Sequence, residues 1–151
     1  MTAKILPDHA WIAAHIPHQG GMCLLDAVES WDAEHIHCVS HSHRATANPL
    51  RAGGRLGALT AIEYAAQAMA VHGALLAGEG APPTPGFLGS ARGVECLVER
   101  LDDIDEPLNI AAQRLSGDDR TLLYGFTVSA GDRPLVRGRA AVVLGGLTAA
   151  T

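Results

Sequence analysis

The residue whose type and setting point most directly to chemistry is Glu63. It lies within Leu56–Ala77, LGALTAIEYAAQAMAVHGALLA, a run that is otherwise almost wholly apolar. An ionised carboxylate buried there without a partner would be very costly, so either the carboxyl is neutral or something pairs with it. Burial raises a carboxyl pKa, and an acid kept protonated near neutrality is suited to giving a proton to a leaving oxygen. The plainer alternative is a buried glutamate satisfied by backbone groups or an arginine.

Two other polar side chains share this run. Gln67 follows Glu63 by one turn, at about 40° around a helix, and suits orienting a partner or spanning a subunit contact. His72 is nine residues on, at roughly 180°, so it cannot share the face of Glu63 and reads as a core histidine. Upstream, Arg51-Ala52-Gly53-Gly54-Arg55-Leu56-Gly57 precedes the helix. Free N–H groups and the positive helix end there favour an anion or a polarised carbonyl, while the lack of a following Lys-Ser/Thr excludes a P-loop.

His35, His37, His41 and His43 all occupy odd positions, so an uninterrupted strand would place them on one face. Two histidines spaced i, i+2 can share a metal ion, but no third ligand stands in register and Cys38 faces the other way, so no metal is expected. Cys23, Cys38 and Cys96 are odd in number and form no CxxC pair, which fits reduced thiols.

These side chains need elements to hold them. As a helix, Leu56–Ala77 would be about 33 Å long, enough to cross a bilayer. Its central Glu63, Gln67 and His72 argue instead for a helix buried in protein. The run Gly78–Gly86, GEGAPPTPG, then forbids helix continuation. Four strands are expected after it, at about Phe87–Arg100, Leu108–Leu115, Thr121–Ala130 and Leu135–Leu144, with antiparallel neighbours across short turns. Leu122, Tyr124, Phe126 and Val128 share one face of the third; Val136, Ala140, Val142 and Leu144 share one face of the fourth, with Arg137 and Arg139 opposite. Two further strands, Met22–Ser30 and His35–His41, precede the helix around Trp31–Glu34. The pattern is α+β, an antiparallel sheet over one mostly buried helix.

Bulk properties narrow the function classes. A length of 151 residues predicts one domain, 1–151. With 48% hydrophobic and 18% charged residues the chain is not a disordered tail, and 4% aromatics beside 17 glycines imply a core of small aliphatic side chains. A net charge of −5 argues against nucleic-acid binding. The N-terminus, MTAKILPD, has no apolar secretion segment, so a cytoplasmic location without a membrane span is expected.

Three stretches together resemble a known family. Ile16-Pro17-His18-Gln19 running into Met22-Cys23-Leu24-Leu25-Asp26, then Ile62-Glu63-Tyr64-Ala65-Ala66-Gln67-Ala68, then Gly86-Phe87-Leu88-Gly89-Ser90-Ala91-Arg92, look like the 3-hydroxyacyl-[acyl-carrier-protein] dehydratases of the hotdog fold. With Asn48-Pro49-Leu50 before the helix, the spelling is most similar to the subgroup associated with aryl-polyene-type lipid pathways. The resemblance covers roughly residues 5–145. It implies a sheet of five to six strands wrapped around one long helix, dimers joined edge to edge, and a tunnel at the dimer interface. There a histidine removes the proton α to a thioester and a helix glutamate of the partner subunit protonates the departing hydroxyl.

On that resemblance Glu63 is the acid, Gln67 matches the glutamine one turn on, and the backbone N–H near Ala58, beside Gly57, polarises the thioester carbonyl; Asn48 joins these as a substrate-binding residue. The chain departs from the family at the base. The usual histidine stands fourteen residues before the glutamate, and that position here is Pro49. His43 is the candidate base, with His41 next, whereas His18 is read as a structural part of the Pro-His motif. The expected partner is an acyl carrier protein or CoA thioester, docked on Arg51, Arg55 or Arg92. The substrate carries the phosphopantetheine, so no cofactor is expected, and the assembly is a homodimer or a homo-oligomer built from dimers. A hotdog thioester hydrolase and a non-catalytic acyl-binding subunit of a heterodimer are the alternatives.

Overall fold

The structure, a computed structural model, describes residues 6–18, 20–78 and 86–144. Two helices, α1 (His9–His15) and α2 (Ala61–Ala77), accompany six strands: β1 (Ala27–Trp31), β2 (His35–Ser40), β3 (Gly86–Cys96), β4 (Leu108–Gly117), β5 (Thr121–Ala130) and β6 (Arg133–Leu144). The strands form one antiparallel sheet in the order β1-β2-β4-β5-β6-β3. With α2 packed on β2, β4 and β5, this is the hotdog arrangement.

Alternation decides which way the sheet faces. Leu122, Tyr124, Phe126 and Val128 are buried on β5, as are Ile36, Cys38 and Ser40 on β2, while Arg137 and Arg139 of β6 are exposed. The buried set meets a helix whose contact surface is largely alanine: Ala61, Ala65 and Ala68 are fully buried beside Tyr64, Met69 and Val71. Side chains this small let the sheet approach the helix closely. Beyond Ala77 the backbone of Gly78 turns to φ 85°, a conformation glycine adopts without a Cβ penalty. Residues 79–85 of the expected break lie outside the described residues.

Several boundaries differ from expectation. The first strand starts at Ala27 rather than Met22, because Gly20–Met22 is a 3₁₀ turn and Cys23–Asp26 runs without regular structure. Trp31 belongs to β1, and the connection to β2 is set by Asp32, whose carboxylate accepts from the N–H groups of Glu34 and His35. Those bonds hold its pKa at about 2. α1 is not among the elements expected above; Asp8 caps it by accepting from Trp11 N–H, and Ile12 and Ile16 enter the core. β3 stops at Cys96 and pairs with β6, not with its successor β4. Residues 97–107 therefore cross from the sheet's edge to its interior, passing the entrance of α2.

Two buried groups show how the core treats polarity. Cys38 is fully buried and burial pushes its thiol up to about 12. It should resist a thiol reagent at pH 8 until denaturant is added; labelling of Cys38 in the native protein would contradict this packing. His72, on the sheet side of α2, donates and accepts in a closed chain. Its Nε2 is 2.8 Å from the Asp32 carbonyl and its Nδ1 2.7 Å from the Tyr124 hydroxyl, which also accepts from Arg114 at 3.1 Å. The carbonyl can only accept, so Nε2 carries the hydrogen and Nδ1 takes that of Tyr124.

Candidate active site

The face of α2 opposite His72 carries Glu63, and its partner is His18. His18 Nε2 lies 3.0 Å from Glu63 Oε1, with the two side chains 24% and 30% exposed. The imidazole bond, ahead of that from Gln67, holds the carboxyl below its ordinary value against the opposing effect of burial. The expectation of a carboxyl raised by burial is corrected accordingly: Glu63 has the partner that the apolar run made necessary. His18, read from sequence as structural, is the residue that supplies it.

Gln67 explains how a loop histidine is held against a helix. Its Nε2 donates to the Met22 carbonyl at 2.7 Å and to Glu63 Oε1 at 3.2 Å, while its Oε1 accepts from Leu24 N–H at 2.9 Å. The segment that follows His18 is thus fastened to α2 one turn from Glu63. Because Gln67 is fully buried, Gln67→Leu would strand a backbone donor and an acceptor. A stability loss of about 1–3 kcal/mol is expected, read as a lower urea midpoint. An unchanged midpoint would show that Gln67 does not fasten this segment.

The other sequence candidates are placed elsewhere. His43 is fully buried in a 3₁₀ turn (Ser42–Arg44), and its Nε2 donates to the Ile104 carbonyl at 3.0 Å. Burial lowers its pKa. The hydrogen bonds of Glu63 among the described residues run to His18 and Gln67, and the structure does not bring His43 to it. The expected row of four histidines is broken because β2 ends at Ser40: His35 turns to Asp32, His37 to Asn109 and His41 to Asp26. Among the described residues no group of three His, Cys, Asp or Glu side chains could hold one metal ion.

Asn48 is likewise committed. Its Nδ2 donates to the Ser42 carbonyl and the Tyr64 hydroxyl, and its Oδ1 accepts from Leu50 N–H. Tyr64 is fully buried next to Glu63 in sequence, so Asn48 anchors the 42–50 loop to α2. Ala58 does not offer the free N–H expected at the helix entrance, since it donates to the Glu99 carbonyl at 3.0 Å. The Gly57 carbonyl accepts from Thr60 N–H and from its hydroxyl. The helical run also begins later than Leu56, with a 3₁₀ turn over Ala58–Thr60 leading into α2. In that turn the N–H of Leu59 has no partner among the described residues, one turn ahead of Glu63.

The crossing segment pins this entrance. Leu101 N–H donates to the Leu56 carbonyl, and Asp102 accepts from Leu56 N–H and pairs with Arg100, which holds its carboxyl far below the usual range. Arg51, expected at a docking rim, instead turns inward onto the carbonyls of His43, Arg44, Ala45 and Gly54.

Comparison with known proteins places the family and the fold. The family model of the ApeP-like proteins, described as ApeP dehydratase, matches residues 10–146. The dehydratase heterocomplex ApeI:P from Xenorhabdus doucetiae contains a chain similar to this one at 25% identity and a TM-score of 0.79, covering 91% of this chain and 92% of that one. A mutant thioesterase from Pseudomonas aeruginosa shares the fold at 14% identity and a TM-score of 0.60, over 91% of this chain and 94% of its own. So does a hypothetical thioesterase with coenzyme A from Streptococcus pneumoniae, at 10% identity and 0.57, over 78% and 83%. No curated protein matches the chain by sequence.

Proposed function

Because the chain belongs to the ApeP-like dehydratase family, we propose that His18 and Glu63 are its acid–base pair, acting on a 3-hydroxyacyl thioester carried by acyl carrier protein. The observation that carries this reading is the 3.0 Å contact between His18 Nε2 and Glu63 Oε1, both partly buried. The contact joins an imidazole nitrogen to a carboxylate oxygen, so one proton can be shared between them. Transfer across the contact yields a neutral imidazole and a carboxylic acid, which are a base and an acid side by side.

Elimination then balances within the pair. The His18 imidazole takes the proton α to the thioester, the electrons form the α,β double bond, and the β-hydroxyl leaves as water with the proton from Glu63. The products are an enoyl thioester, an imidazolium and a carboxylate, and the same transfer across the contact resets them. A donor at the helix entrance, for which Leu59 N–H is free, would stabilise the negative charge that develops on the thioester oxygen. No redox change occurs, so the chemistry asks for no cofactor beyond the phosphopantetheine arm of the substrate.

The similarity to a chain of a dehydratase heterocomplex supports a second hotdog chain as partner, a copy of this chain or a relative. β3 suits that role. It is an 11-residue edge strand exposing Phe87 and Leu88, and an open edge of this kind is a template for pairing. Among the described residues no helix is long and apolar enough to cross a membrane. The test is incubation with a 3-hydroxyacyl carrier-protein thioester, alone and with a related dehydratase subunit. Loss of one water by mass with the thioester intact is expected; release of free thiol without an enoyl product would replace the reading by thioester hydrolysis.

A further inference from the structure

The outer face of the sheet, turned away from α2, carries arginines on neighbouring strands. In the β3–β6 ladder Glu95 stands opposite Arg137 and Arg92 opposite Arg139. The first pair is complementary: Arg137 Nε donates to Glu95 Oε1 at 3.2 Å. The second sets two guanidinium side chains against each other, an arrangement that destabilises a ladder when nothing lies between them. Beyond the backbone ladder, neither the Arg92 nor the Arg139 guanidinium has a hydrogen bond or ion pair among the described residues. Both line one hollow of about 230 Å³, together with Ser90.

We propose that Arg92 and Arg139, with the Ser90 hydroxyl, form a binding site for a phosphate group. Two forked guanidinium groups match the oxygens of a tetrahedral anion, and two positive charges offset a phosphate more fully than a carboxylate. Arg137 is excluded from the site because Glu95 already neutralises it. The site stays accessible when β3 acquires a neighbour, because strand addition extends a sheet in its own plane and leaves the outer face open. A phosphopantetheinyl or CoA carrier presents such a group as an ester, and free phosphate presents the same oxygens. The ester source rests on the thioester reading above, whereas the phosphate chemistry does not.

Calorimetric titration of the full chain at low salt, first with inorganic phosphate and then with CoA, tests the site without turnover and therefore independently of dehydration. Phosphate binding should weaken by about tenfold or more in Arg92→Gln and in Arg139→Gln, and remain as in wild type in Arg137→Gln. Both substitutions are at exposed positions, and circular dichroism checks that each variant folds. A CoA affinity above that of phosphate and reduced by the same two variants assigns the ester; equal affinities assign free phosphate, and both support the site. Absence of phosphate binding, or binding weakened equally by all three variants, overturns it.

Discussion

Turnover is expected to fall by about 10²–10⁴-fold in His18→Ala, and by a comparable factor in Glu63→Gln, because each removes one half of a proton-transfer pair. The double variant should be little worse than either single one, since two groups that act as a unit lose their joint contribution once. Substrate affinity should change less than turnover, as neither group is required to hold the acyl chain. Steady-state kinetics on a 3-hydroxyacyl thioester provides the measurement. His43→Ala is the control: it removes a buried contact to the Ile104 carbonyl, so its cost falls on stability while turnover per folded molecule survives. Loss of turnover in folded His43→Ala together with activity in His18→Ala would return the role of base to His43.

Acidification should destabilise the fold well above the range in which carboxylates titrate. His43 and His72 are fully buried, and burial lowers the pKa of each below the ordinary 6.5. A histidine with a lowered folded pKa binds more protons when unfolded, so stability is complete above about 6.5 and falls as pH drops below it. The slope reaches at most about 1.4 kcal/mol per pH unit for each histidine, or roughly twice that for the pair. At His72 the cause is visible, because a proton on Nδ1 displaces the hydrogen bond from Tyr124 and sets a second cation near Arg114. The carboxylates with lowered values, Glu63, Asp32, Asp102 and Asp118, oppose unfolding until the pH falls below their own unfolded range near 4. Urea midpoints at pH 7.5 and pH 5 should therefore differ clearly, with a smaller difference in His72→Gln. Equal midpoints in the wild-type protein would refute the account.

Much of the frame was legible from local pattern. β5 alternates so regularly from Thr121 to Ala130 that its limits and its buried face follow from period two alone, and the alanine run of α2 could not be a strand. Glu63 stood out for the same reason, as a charge where local physics forbids an unpaired one. Its partner was hidden because nothing in spacing reports a contact across 45 residues, and eight histidines compete for the position. The motif around His18 was visible, but the resemblance attached the base to a position that holds Pro49 here, which drew attention to His43 as the nearer upstream histidine. The Ala58 N–H failed as a free donor for a similar reason: its acceptor, Glu99, lies on a crossing segment whose path depends on β3 taking the far edge of the sheet. α1 did carry a local signal, an aspartate followed by Ile12 and Ile16 one turn apart.

The contacts that hold the site are almost all distant along the chain: His18 to Glu63, Met22 and Leu24 to Gln67, Leu56 to Asp102, and His43 to Ile104. Each closes a large loop before it stabilises anything, and the entropy of that closure delays its formation. A nascent chain that has emerged only through α2 has both His18 and Glu63 but not the segment that pins the helix entrance. During synthesis the proposed acid–base pair therefore reaches its final geometry only once the crossing segment has arrived to pin the helix entrance.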